Sequence, residues 1–136
     1  MLLDWRSIKA FTERNENVKT ILIVEDTELN IDLLSQLLED DYTLVVARNG
    51  EQGVQMTLQH HPDLILMDIS LPLMDGYEAT RQIRTKDSFK SIPIIGLSAH
   101  AMRGHEEKAK EAGCNAYLTK PIDEEELLTM LRLYLG

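Results

Sequence analysis

Residues 63–78 read DLILMDISLPLMDGYE. Four apolar residues, Leu64 to Met67, run without a polar break into Asp68. A run this short and this uniformly apolar suits a β-strand buried on both faces, as in a parallel sheet. Asp75-Gly76 then reads as a turn that closes the loop after Asp68 and starts a helix. That helix, Tyr77 to Arg84, carries Ala79, Thr80 and Ile83 toward the sheet. The stretch is therefore one strand-loop-helix unit with an acid at the end of its strand.

Working outward, the same unit recurs. Further strands are expected at Thr20 to Val24 (TILIV), Thr43 to Ala47 (TLVVA), Ile92 to Leu97 (IPIIGL) and Ala116 to Thr119 (AYLT). The first helix starts after Thr27 as its cap and puts Leu33, Leu34, Leu37 and Leu38 on one stripe. The second runs from Gly50 to His60 with Val54 and Leu58 inward. The fourth lies within Arg103 to Ala112 and stops at Gly113, and the last spans Glu124 to Leu135 with Leu127, Leu128, Leu131 and Leu135 on one side. Five strands alternating with five helices predict an α/β fold, and right-handed crossovers place helices on both faces of the sheet.

The chain has 136 residues, 43% of them hydrophobic, enough for one well-packed domain. Its formal charge of −9 argues against nucleic acid or an anionic membrane as a partner, because both rely on clustered Lys and Arg. A protein partner is expected. The single cysteine, Cys114, can form no internal disulfide and reads as a small packing residue. No apolar run reaches the length of a signal-peptide core or a membrane span, so a cytoplasmic location is expected. His60-His61-Pro62 reads as a solvated helix end.

In an open parallel sheet, ligands gather beyond the carboxyl ends of the strands. The polar residues fall there: Glu25 and Asp26 after the first strand, Asp68 after the third, Ser98 after the fourth and Lys120 after the fifth. Three clustered carboxylates repel one another when partly buried, and a divalent cation relieves the repulsion. Hard oxygen donors without His or Cys at ligand spacing favour Mg²⁺.

Four segments together resemble the signature motifs of response-regulator receiver domains: ILIVED at Ile21 to Asp26, DLILMDISLPLMDGYE at Asp63 to Glu78, IPIIGLSAHAM at Ile92 to Met102 and AYLTKP at Ala116 to Pro121. The resemblance spans Lys19 to Leu135. It implies a flavodoxin-like doubly wound sheet with strand order 2-1-3-4-5, and two-component phosphorelay signalling. Asp68 would accept a phosphoryl group from a histidine kinase or histidine phosphotransfer protein. Asp26 and Asp68 would bind Mg²⁺ directly, Glu25 through water, and Ser70 through its main-chain carbonyl. Lys120 would pair with a phosphoryl oxygen and with Asp68, oriented by a cis Lys120–Pro121 bond. Ser98 and Tyr117 match the switch positions, and Ser70 and His100 match positions that tune the lifetime of the phosphoryl group. The output surface would be helix four, strand five and helix five, which in the family docks a downstream protein target or a second receiver, so a homodimer formed on phosphorylation is compatible with it.

Two departures from the family pattern keep the needed chemistry: Glu25 stands where Asp is frequent, and Ser98 where Thr is commoner. Two other readings compete. A receiver-like adaptor working without phosphorylation has no need for so costly a cluster of acids. A phosphatase of the haloacid-dehalogenase type resembles DxDx[TV] after its first strand, whereas Asp68 follows the third and position 70 is Ser. Residues 1–17 stand outside the repeat as an N-terminal extension or linker, or as a docking helix, and residues 18–136 form the expected receiver domain. The initial Met and the stop after the final helix favour a stand-alone receiver over a fragment of a hybrid kinase.

Overall fold

A computed structural model describes residues 18–99 and 104–136. The expected extension at residues 1–17 and the candidate His100 lie outside the described residues. Five parallel strands, β1 (Thr20–Val24), β2 (Thr43–Ala47), β3 (Leu64–Asp68), β4 (Ile94–Ser98) and β5 (Ala116–Thr119), form one sheet in the order β2-β1-β3-β4-β5. Between and after them run the helices α1 (Glu28–Leu38), α2 (Gly50–His60), α3 (Gly76–Arg84), α4 (His105–Ala112) and α5 (Glu124–Leu135), with a short 3-10 turn at Asp87–Phe89. The doubly wound order expected from the motifs is the order observed.

The central strands β1, β3 and β4 carry almost no polar residue because both of their faces are covered. Side chains alternate between two cores. Ile21, Ile23, Leu64, Leu66, Ile95 and Leu97 pack with Leu34, Leu38, Leu127 and Leu131 of α1 and α5. Leu22, Val24, Ile65, Met67 and Ile94 pack with Ala79, Ile83 and Ala109 of α3 and α4, with Val54 and Met56 of α2 alongside. Cys114 is a buried free thiol in the second core, as expected of a packing residue.

Some sequence expectations need correction. Strand β4 starts at Ile94 rather than Ile92, because Pro93 has no N–H for the ladder and contributes only its carbonyl, which accepts from Ile65 N at 2.9 Å. In α1 the buried stripe is Ile31, Leu34 and Leu38, spaced by three and four; Leu33 sits to one side of it and is 51% exposed, and Leu37 is only partly buried. In α2 the fully buried residues are Gly50, Gly53 and Thr57; Val54 packs inward beside them as expected, whereas Leu58 faces solvent. Small residues are selected there because a Cβ on Gly53 would meet the Val24 side chain at 3.0 Å. Phe89, on the unforeseen 3-10 turn, is buried, and His61 at the end of α2 lies against it with ring centroids 5.2 Å apart.

Capping explains where the helices begin and end. Asn49, Asp75 and Asp123 accept hydrogen bonds from the N–H groups of Gln52, Glu78 and Glu126. Gly113, at φ +117°, ends α4 in the left-handed conformation that glycine adopts without steric cost. Among the described residues no helix is long and apolar enough to cross a membrane.

Candidate functional site

The carboxyl ends of β1, β3, β4 and β5 converge on one rim. Val24 pairs with Met67, Asp68 with Leu97, and Ser98 with Thr119, so Glu25, Asp68, Ser98 and Lys120 arrive at nearly the same height. Glu25, Asp26 and Asp68 each place a carboxylate oxygen within 4.8 Å of the other two. Glu25 is 0% exposed and Asp68 3%, whereas Asp26 is open to solvent.

Lys120 lies between the two buried acids. Its Nζ donates to Glu25 Oε2 at 2.8 Å and stands 3.4 Å from Asp68 Oδ2. The Lys120–Pro121 bond is cis, as expected, and Lys120 N donates to the Ser98 carbonyl at 2.7 Å. Lys120 stands beside Asp68, the pairing the motifs imply, but Glu25, longer than aspartate by one methylene, takes the shorter contact. The other oxygen of Asp68, Oδ1, accepts from Ser70 N at 3.1 Å.

The loop after Asp68 has little freedom. Gly76 N donates to the Ile69 carbonyl at 3.0 Å, and a Cβ on Gly76 would collide with the Asp68 carbonyl and with Ile69 Cα. Only glycine lets α3 start this close to the acid. Ser98 is fully buried at the end of β4. Tyr117 is half-buried on β5 opposite Gly96 and packs against the core that holds Met67 and Cys114.

Burial and charge separate the two inner acids. Burial raises the Asp68 pKa to about 6, with repulsion from Glu25 adding to it; the Lys120 charge and the Ser70 N–H only partly offset this. Burial also pushes Glu25 upward, but the hydrogen bond and charge of Lys120, with the Thr27 N–H and the Asn30 amide, more than reverse it and leave Glu25 below the usual carboxylate range. Burial works against the Lys120 ammonium, yet its two acidic partners hold its pKa above the ordinary value. Of the two buried acids, Asp68 holds its charge the less readily.

The rim thus gathers Glu25, Asp26, Asp68, Ser98 and Lys120, with Ser70 on the loop beside Asp68. Asn30 joins this group although no motif marks it. Its Nδ2 donates to Glu25 Oε1 at 3.4 Å, and its only sequence signal is its position in the first turn of α1, five residues after Glu25. A groove of about 500 Å³ opens between α1 and the β5–α5 connection, walled in part by Glu25, Asn30, Leu33, Leu37, Lys120 and Pro121.

Comparison with known proteins agrees with this arrangement. Residues 21–132 match the sequence model of the response regulator receiver domain. The polar-differentiation response regulator DivK of Brucella anthropi is 41% identical over 119 residues, covering 87% of this chain and 97% of the relative. The receiver domain of a sensor histidine kinase from Pseudomonas aeruginosa, solved with a magnesium ion coordinated in its active site cleft, superposes with TM-score 0.82 at 38% identity, covering 88% of this chain and 98% of that one. A response regulator from Chloroflexus aurantiacus, described as putative, superposes with TM-score 0.83 at 31% identity, covering 87% and 98%.

Proposed function

The chain belongs to the response regulator receiver domain family, and from that premise we propose that Asp68 accepts a phosphoryl group from a phosphohistidine on a histidine kinase or phosphotransfer protein. The observation that carries the reading is the triangle of Glu25, Asp26 and Asp68 oxygens with Lys120 Nζ 3.4 Å from Asp68 Oδ2. The acids fit a divalent cation: they are all hard oxygen donors, two of them buried, and their mutual repulsion is what a cation relieves. Mg²⁺ would be held by Asp26, Asp68 and the Ser70 main-chain carbonyl, with Glu25 acting through water. Bound there, it supplies positive charge against the oxygens of the transferring group.

The chain's own residues account for the rest. An Asp68 carboxylate oxygen attacks phosphorus as the N–P bond to the donor imidazole breaks, and the histidine leaves as neutral imidazole after taking up a proton. The Lys120 ammonium, already beside Asp68, offsets the charge that gathers on the phosphoryl oxygens. In-line attack by water later releases phosphate and restores the carboxylate, with Ser70 and His100 setting the rate. The protein is a signalling switch whose chemistry is confined to its own phosphorylation and dephosphorylation.

Phosphorylation adds a dianion beside Ser98, whose hydroxyl turns to it, and Tyr117 follows inward, altering the surface of α4, β5 and α5 for a downstream protein. Residues 18–136 form this receiver in the cytoplasm, and residues 1–17 are an extension to it. Intact-protein mass after incubation with acetyl phosphate tests the reading. A Mg²⁺-dependent phosphoryl adduct is expected for the wild type and none for Asp68→Asn. An equal adduct in the variant would remove Asp68 from its role.

A further inference from the structure

Glu25 has no exposed surface, and each of its oxygens is engaged. Oε2 holds Lys120 at 2.8 Å. Oε1 accepts from Thr27 N at 3.3 Å and from Asn30 Nδ2 at 3.4 Å. Two of these three donors come from the start of α1.

That start is built in an unusual way. Thr27 is the N-cap of α1, yet its side chain makes no capping hydrogen bond. In a capping box the third helical residue would reach back and accept from the N-cap N–H. Asn30 occupies that third position, but its amide donates into Glu25 instead, and the Thr27 N–H goes to the same Glu25 oxygen. The positive end of the helix dipole faces the same carboxylate. The first turn of α1 is thus arranged around Glu25.

The geometry points to Asn30 as a positioning residue for phosphoryl transfer: with Thr27 N–H it fixes Glu25 Oε1, so that Oε2 holds the Lys120 ammonium beside Asp68. The inference rests on the proposed role of Lys120 in transfer. Lys120 has a long flexible stem, and its direct contact with Asp68 is the looser of its two ion pairs. A Glu25 carboxylate free to rotate would take the ammonium with it. One held on its far oxygen keeps Lys120 where an incoming phosphoryl group needs it. Asn30 touches neither Lys120 nor Asp68 in any hydrogen bond of the site, so its influence passes through Glu25.

Two readouts test it. In metal-free protein, the Lys120 ammonium resonance in ¹⁵N-resolved NMR, assigned with Lys120→Met, should exchange its protons about tenfold faster in Asn30→Leu than in wild type. Under saturating Mg²⁺, Asn30→Leu should lower the maximal rate of phosphoryl uptake from acetyl phosphate about tenfold, while the half-saturating Mg²⁺ concentration moves by no more than about threefold. The rate loss should disappear when the same change is made in Glu25→Gln protein, because the two residues act as one unit. Asn30→Asp, which sets a like charge against Glu25, keeps the side-chain size and should reproduce both effects if Asn30→Leu fails to fold. An unchanged Lys120 exchange rate, or an equal rate loss in the Glu25→Gln background, overturns the inference. Should wild type take no phosphoryl group at all, the proposed function fails, while the Lys120 resonance still decides the role of Asn30.

Discussion

Asp68 and Glu25 illustrate how two carboxylates on one rim acquire different characters. Glu25, buried like Asp68, keeps its charge because Lys120, Thr27 N–H and Asn30 all point at it. Burial pushes the Asp68 pKa up and the like charge of Glu25 adds to it, while the ammonium, at a longer distance, offsets only part, so the pKa stands at about 6. A carboxyl whose folded pKa lies above the unfolded value near 3.8 favours folding below about pH 4, and that contribution is lost as the pH rises through 6. In the presence of a chelator, Asp68→Asn should therefore stabilise the domain at pH 7.5 by on the order of 1–3 kcal/mol and have almost no effect at pH 4. Urea unfolding at the two pH values measures this, and a variant less stable than wild type at pH 7.5 would contradict the assignment. The same excess of negative charge gives a divalent cation its purchase on the site.

At the scale of elements, α1 links core and site: Leu34 and Leu38 anchor it to the sheet while its first turn grips Glu25. Leu34→Ala should cost about 2–5 kcal/mol, the usual range for a buried leucine, and Leu33→Ala less than about 1 kcal/mol, as chemical denaturation will show. The sequence had placed both leucines on the buried stripe. Strand positions were the most legible elements, because β1, β2 and β5 are short apolar runs bounded by polar residues, and their ends matched. The facing of α1 and α2 was harder to read. Val54 and Leu58 read as the inward side of α2, and Val54 does pack on the core, but the closest approaches belong to Gly53, set against Val24 of β1, and Gly50, set against Met74 in the loop after β3, constraints that arise only when the helix is docked. The acid cluster was legible for the same reason as the strands, since its members sit at strand ends. Asn30 was not, because a polar residue in the first turn of a helix is ordinary until its partner is known.

For the whole molecule, the strand order β2-β1-β3-β4-β5 makes a binding rim out of residues 95 positions apart in the chain, Glu25 and Lys120. Two acids follow β1 and one ends its neighbour β3; Ser98 ends β4 and Lys120 follows β5. The rim thus joins Asp68 to the carboxyl ends of β4 and β5; β5 also carries Tyr117, and its rim end leads through Lys120 and Pro121 into α5. The most direct test of the account is to expose the protein to acetyl phosphate and Mg²⁺, reduce the product with borohydride, and map the peptides. An acyl phosphate is reduced to an alcohol, so conversion to homoserine at position 68, absent when Mg²⁺ is removed, is the predicted result. Modification at Glu25 or Asp26 with Asp68 untouched, or none anywhere, would contradict it.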